Sequence, residues 1–146
     1  MAVTKVLARG WKLEVEDPTM TGTWIQVKGL KTFTFSESKE DADTTDFDSG
    51  GWAEHMVAQR AKEIGVEAHY LEDKQTGDRD PGQEAVEVYA AKVGEDSLGK
   101  FRITSPGGTA RTFYASAVVG ERGGGINDPS NWNCTLTISG PEQPDA

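Results

Sequence analysis

Apolar and polar residues alternate along most of this chain, and a period of two residues is typical of β-strands with one buried face. Segments 24–28 and 32–36 follow each other across a glycine and predict a hairpin. A long strand is predicted over residues 64–70, and more strands follow the helix described below. The predicted inward-facing residues are Ile25, Val27, Phe33, Phe35, Ile64, Val66, Ala68, Tyr70, Phe101, Ile103, Phe113, Ala115, Ala117, Val119, Trp132, Cys134, Leu136 and Ile138.

One segment has the period of a helix instead. Asp80 is a suitable N-cap, Pro81 suits the first helical position, and Gln83 stands where a capping box places it. Gly94 is predicted to end this helix. One face of the helix is predicted to pack on the strands, and it consists of Val86, Tyr89, Ala90 and Val93.

Several strands with a single helix predict an α+β fold of mainly antiparallel strands. We expect a β-sandwich or partly closed barrel flanked by the helix, with residues 1–146 as a single domain. Residues 53–62 show no clear period, so their sequence leaves a helical turn and an extended loop both open. Residues 141–146 are polar and are expected to form a flexible tail.

A long acidic loop is predicted at residues 37–59, before the long strand. Residues 37–48 contain six acidic residues against one basic residue, Lys39. Such a loop must face water or a partner of opposite charge, because burial of unpaired carboxylates is costly. Phe47 and Trp52 distinguish the loop from disordered segments, which are poor in aromatic residues.

The overall charge argues against two kinds of binding partner. A net charge of −9 argues against binding to nucleic acid or to anionic membranes, which requires clustered Lys and Arg. The sequence predicts neither a signal peptide nor a membrane span, so we expect a chain made in the cytoplasm. Cys134 is the only cysteine, which excludes an internal disulfide.

Residue patterns for catalysis or metal binding are weak. His55 and His69 are the only histidines, and neither has the spacing of a zinc motif. A calcium loop that begins at Asp41 would place Asp46 where glycine is needed, and one that begins at Asp46 would place Gly50 at a ligand position. We therefore expect that the chain is not an enzyme and that it binds no metal and no other cofactor.

The order of these features resembles the major tail tube proteins of long-tailed, siphovirus-type bacteriophages. The resemblance rests on the strand from Trp24 to Leu30, the loop from Asp43 to Trp52, the long strand, the helix, and the stretch from Gly123 to Leu136. It implies a fold shared with the ring protein of type VI secretion. It also implies a structural virion protein, assembled in the host cytoplasm, whose hexameric rings stack into the tube that conducts viral DNA.

The resemblance also implies partners and contact residues. The partners would be other copies of the chain and the tape measure, terminator and distal tail proteins, and an acidic channel wall would keep passing DNA from adhering. Residues 37–59 would be the loop that stacks one ring on the next, and either the run around Val3 to Leu13 or the tail after Gly140 would add contacts between rings. At the stacking loop we expect Arg60, Lys62 or Arg79 of one ring to meet acidic residues of another. The implied stacking residues are Asp41, Asp43, Thr44, Thr45, Asp46, Phe47, Asp48, Ser49, Gly50, Gly51 and Trp52.

Two other classes of protein fit the same pattern. One is a different ring protein of a phage tail or of a contractile injection machine. The other is a monomeric β-sandwich that binds carbohydrate or decorates a capsid, with Trp24, Trp52 and Trp132 stacking on a ligand. The strand patterns around Trp24 and Trp132 favour burial of these side chains instead.

Overall fold

A computed structural model describes residues 3–143, and these form one seven-stranded antiparallel sheet with a single α-helix. The predicted α+β class is confirmed. Across the sheet the strand order is β2-β1-β5-β6-β7-β4-β3, and the sheet does not close. The strands are β1 (Lys12–Glu16), β2 (Trp24–Gln26), β3 (Leu30–Asp43), β4 (His55–His69), β5 (Leu98–Thr104), β6 (Ala110–Gly123) and β7 (Asn131–Gln143), and the helix is α1 (Pro81–Ala90).

The predicted hairpin of segments 24–28 and 32–36 is wrong. β2 pairs with β1 and β3 pairs with β4, so the two segments form opposite edges of the sheet. A short link joins these edges, and the Val27 N–H donates to the Leu13 carbonyl at 2.9 Å. The Gly29 carbonyl then accepts from the His69 N–H at 2.8 Å. The link is therefore bonded to β1 at one end and to β4 at the other, and β3 continues at the opposite edge of the sheet.

The sheet curls until its distant strands touch. The rings of Phe35 in β3 and Phe113 in β6 lie 5.7 Å apart between centroids, although β4 and β7 separate these strands. Three inter-strand steps in a flat sheet would span roughly 14 Å. Trp11, just before β1, stacks on Phe33 with 5.8 Å between ring centroids. The result is a half-closed barrel.

One face of the sheet, the packed face, carries the hydrophobic core. Every residue predicted to face inward belongs to this core or packs against it, so this prediction is confirmed. Register places Ile64 beside Leu136 and Val66 beside Cys134. Burial raises the pKa of the Cys134 thiol to about 12, so this thiol stays protonated and unreactive at neutral pH.

Helix α1 begins as predicted but ends early. The Asp80 carboxylate accepts a hydrogen bond from the Gln83 N–H at 3.2 Å, as an N-cap does. Val86 and Tyr89 are buried and Ala90 packs against the core, but Val93 is 89% exposed in extended backbone beyond the helix. Its prediction as a packing residue is wrong, because the last turn tightens and the helix stops at Ala90.

Gln83 holds the helix in place without completing the capping box. Its side-chain amide donates to the carbonyls of Lys28 at 3.1 Å and His69 at 2.8 Å. It is fully buried, and these two acceptors satisfy its donors. The helix is thereby joined to the link between β2 and β3 and to the end of β4.

The chain end differs in part from its prediction. Residues 141–143 belong to β7, where Gln143 pairs with Thr112, so they are not a flexible tail. Residues 144–146 of that predicted tail lie outside the described residues. Within residues 3–143 no helix has the length and apolar character needed to span a bilayer.

Candidate assembly interface

The predicted acidic loop is mostly a two-stranded ribbon. β3 and β4 pair from Glu37 opposite Lys62 to Asp43 opposite His55, and only residues 44–54 lie outside these strands. Residues 37–43 and 55–59 were therefore wrongly predicted as loop. We call residues 37–62 the arm and residues 44–54 its tip.

Within residues 3–143 no third strand pairs with the arm. β4 pairs with β7 only over residues 63–69, so the arm lacks a third strand. Every residue of the arm is exposed except Ser49 and Lys62, which are half-buried. A two-stranded hairpin is marginally stable in water on its own, and such an element is commonly completed by a partner.

Large apolar side chains nevertheless occur on the arm. Phe47 is fully exposed, Trp52 is 78% exposed, and Met56 and Val57 are also exposed. Apolar side chains grouped on an exposed element are typical of an interaction surface. Sequence reasoning missed Met56 and Val57, because residues 53–62 show no clear period and both faces of this segment are exposed.

Local hydrogen bonds give the tip a defined shape. The Asp46 carboxylate accepts from the Asp48 N–H at 3.0 Å, and the Ser49 hydroxyl accepts from the Asp46 N–H at 3.0 Å. These bonds form a capping box around the 3-10 turn Phe47–Ser49. Gly50 then reverses the chain with φ at 66°, a conformation that favours glycine.

Thr45 closes the tip and lowers the pKa of a carboxyl at the end of β3. Its hydroxyl accepts from the Glu54 N–H at 2.8 Å. Hydrogen bonds from the N–H and the hydroxyl of Thr45 lower the pKa of the Asp43 carboxyl, with a smaller contribution from the charge of His55. Asp43 therefore stays ionised at neutral pH.

Charge is distributed unevenly along the arm. Residues 40–54 contain six carboxylates and no Lys or Arg. The three basic residues of the arm, Lys39, Arg60 and Lys62, all lie near its base. The tip is thus an acidic surface with two aromatic side chains, and a partner for it should supply positive charge and apolar area.

All eleven predicted stacking residues lie on this arm, with Asp41 and Asp43 at the end of β3 and the others in the tip. Their role in stacking stays a prediction. The three tryptophans of the alternative binding module do not form one surface. Trp132 is fully buried, Trp24 is half-buried with the Arg102 guanidinium 4.4 Å from its ring, and only Trp52 is exposed.

Comparison with known families now identifies the class of protein. The sequence profile of the family described as phage tail tube protein matches residues 13–140. This match covers most of the chain, so the chain belongs to the phage tail tube protein family, and the resemblance inferred from sequence is confirmed. A search of curated proteins finds no match.

Solved structures share the fold at low sequence identity. The tail of an empty gene transfer agent (GTA) particle, refined with C6 symmetry, matches with a TM-score of 0.77 and 16% identity over 97% of this chain and 100% of that chain. A chain of the native GTA virion matches with a TM-score of 0.70 and 14% identity over 97% and 100%. A chain of the anti-feeding prophage baseplate matches with a TM-score of 0.57 and 9% identity over 98% and 96%.

Proposed function

We propose that this chain is the subunit of a phage tail tube, in which hexameric rings stack through the arm into a channel that conducts DNA. The observation that carries the proposal is the arm itself, an exposed ribbon whose aromatic tip packs against nothing else within residues 3–143. Membership of the tail tube family supports the tube, and the C6 symmetry of the GTA tail with the same fold supports the hexamer.

The geometry of the arm suits contact between rings. Six residue steps from Glu37 to Asp43 extend roughly 20 Å, before the tip adds its own length. A tip that contacts a different surface of the next copy makes a head-to-tail interface, which grows a filament. Several arms act together at each ring junction, so contacts of modest individual strength add up to stable stacking.

The sheet edges suit contact within a ring. β3 is an edge strand of 14 residues, and its outer side has no strand partner among the described residues. Unpaired N–H and C=O groups of this kind invite pairing with another chain. Closure of a ring by edge-to-edge pairing with β2 of the next copy would satisfy part of these groups in every copy.

Hydrogen exchange tests the role of the arm. In the free chain, we expect amides of residues 37–62 to exchange much faster than those of residues 64–68, which lie in a strand paired on both sides. In assembled tubes, we expect the arm amides to slow by about tenfold or more, because stacking suppresses local opening. Equal exchange of the arm in the free chain and in tubes would exclude it as the stacking element.

We further propose that the open face of β3, β4 and β7, opposite the packed face, lines the channel. Most side chains on this face are hydroxyl, amide and carboxylate groups, and the Lys31 ammonium reaches it only at one end, where it donates to Asn131. Each contact of phosphate with Lys or Arg would release counterions and add affinity, so a wall poor in these residues lets DNA slide. The residues are Thr32, Thr34, Ser36, Ser38, Glu63, Glu67, Asn133, Thr135, Thr137 and Ser139.

Charge reversal on this face tests the channel wall. Tubes of Glu63→Lys/Glu67→Lys should retain short duplex DNA in a form protected from nuclease, whereas unmodified tubes should not. Retention should weaken with salt at a slope of about −0.9 per phosphate contact. The matched control is Glu95→Lys/Asp96→Lys in the 3-10 turn Gly94–Ser97, which makes the same charge change away from this face. Equal protection of DNA by both variants would contradict the assignment.

A further inference from the structure

We infer that the tip docks on a groove of a second copy, lined by Arg9, Trp11, Lys31 and Phe33. The inference rests on the proposed function, since it requires rings that stack head to tail. It adds the surface that receives the arm, which neither the sequence pattern nor the fold class assigns.

The groove lies between the 3-10 turn Ala8–Gly10 and the first residues of β3, with a volume of about 260 Å³. The stacked rings of Trp11 and Phe33 provide an apolar wall. Gly10 lies against Pro106 so closely that an added Cβ would be 2.8 Å from the Pro106 Cβ, which holds the turn against the sheet. The groove is therefore a formed concavity, as a docking site requires.

The charges of the groove are available to a partner. Arg9 and Lys31 are exposed, and the lining contains no acidic residue. The ion pairs found within residues 3–143 involve other basic residues, and the Lys31 ammonium donates only to the Asn131 side-chain oxygen at 2.7 Å. Two cations beside an aromatic wall complement carboxylates beside Phe47 and Trp52.

The direction of β3 places the tip and the groove at opposite ends of one copy. In a stack, the tip of one copy and the groove of the next copy therefore lie at the same junction. β3 begins at Leu30 beside the groove and ends at Asp43, where the tip begins. The twelve steps from Lys31 to Asp43 span roughly 40 Å, so a tip cannot reach the groove of its own copy. In a head-to-tail stack, the end of one copy that carries the tip meets the opposite end of the next copy.

The basic residues expected from sequence are less suitable acceptors. Arg60 and Lys62 lie at the base of the arm, at the same end of the sheet as the tip, and the Lys62 ammonium lies 3.7 Å from a Glu37 carboxylate oxygen. The Arg79 side chain is only 14% exposed, and it donates to Glu87 at 2.7 Å. The groove combines positive charge, aromatic surface and a position at the end of β3 opposite the tip.

Disulfide cross-linking tests the contact directly. Ala8 lines the groove and Ala53 lies in the tip, and both are exposed, so Ala8→Cys/Ala53→Cys leaves every charge and aromatic side chain in place. The native Cys134 is buried and does not compete. Mild oxidation of assembled tubes should give a ladder of covalent multimers that a reducing agent dissolves, because each copy links to a copy above and a copy below.

The matched control is Ala53→Cys/Ala61→Cys, which tests the base of the arm as the acceptor. Tubes that give a ladder with this pair and none with Ala8→Cys/Ala53→Cys would overturn the groove while leaving stacking intact. Failure of the unmodified chain to form rings or tubes would instead overturn the proposed function and this inference with it. The two failures are therefore distinguishable.

A charge exchange provides a second readout. Lys31→Glu and Asp48→Lys should each slow tube growth at least about tenfold, because each variant brings like charges together at the junction. Their combination restores opposite charges and should recover most of the rate. A combined variant that is slower than either single variant would count against the groove.

Discussion

Replacement of residues 45–53 by Asn-Gly is expected to abolish tube formation while the remaining chain stays folded. The Thr44 N–H already donates to the Glu54 carbonyl at 3.0 Å, so a two-residue turn can close the shortened ribbon. The change removes Phe47 and Trp52, and each large apolar side chain contributes about 1.5–3 kcal/mol when fully buried. Loss of both corresponds to roughly a hundredfold or greater increase in the concentration needed for stacking.

The measurement is electron microscopy and sedimentation of the variant beside the unmodified chain, with thermal unfolding of the free protein as a check on folding. We expect a nearly unchanged melting temperature, because the deleted side chains do not belong to the core. Ile126→Ser is the matched control, since Ile126 is fully exposed on another turn. Tubes of normal length from the shortened variant would exclude the tip as the stacking element.

Substitution of Trp132 is expected to impair folding, whereas substitution of Trp52 is expected to impair assembly. Trp132 is fully buried, and its indole N–H donates to Glu87 at 3.3 Å. Trp132→Ala should lower the free energy of unfolding by about 3–5 kcal/mol, as other large-to-small core substitutions do. This is a large fraction of the 5–15 kcal/mol that is typical of a domain, so the variant should be partly unfolded or aggregate.

Trp52→Ala makes the same substitution on the arm. It should leave the free energy of unfolding of the free chain within about 0.5 kcal/mol of its original value, because Trp52 is exposed. It should nevertheless weaken tube formation. Urea denaturation of both free chains measures the first effect, and sedimentation of assembled material measures the second. Similar destabilisation of the free chain by both substitutions would contradict the assignment of Trp52 to an interface.

The inward-facing residues could be predicted because one buried face imposes a period of two on each strand. Phe33, Phe35, Val66 and Trp132 all follow this rule. Strand partners could not be predicted in the same way, since pairing depends on the path of the chain. The link after β2 carries it to the opposite edge of the sheet, which no local pattern records.

The acidic segment at residues 37–59 shows that strands without a buried face are also hard to predict from sequence. Its acidic charge predicted an element that faces water or a partner, and its side chains are exposed. Its strands were missed because both faces of the ribbon are exposed, so no apolar alternation marks them. The end of α1 was missed because the apolar spacing continues to Val93 after the last turn has tightened.

The resemblance gave the run around Val3 to Leu13 as one of two candidate segments for contacts between rings, but the acceptor groove itself could not be derived from the sequence. Arg9 and Trp11 precede β1, whereas Lys31 and Phe33 begin β3, and these segments meet only because the sheet curls. Neither segment has a motif of its own. A surface formed by curvature becomes visible only when the fold is known.

A cryo-electron microscopy reconstruction of tubes formed by the unmodified chain tests the central claim most directly. We expect sixfold rings in which residues 37–62 cross the junction and the tip contacts the next ring. The open face of β3, β4 and β7 should surround the channel. Rings that stack with the arm directed into solvent, or a protein that stays monomeric at every concentration, would contradict this account.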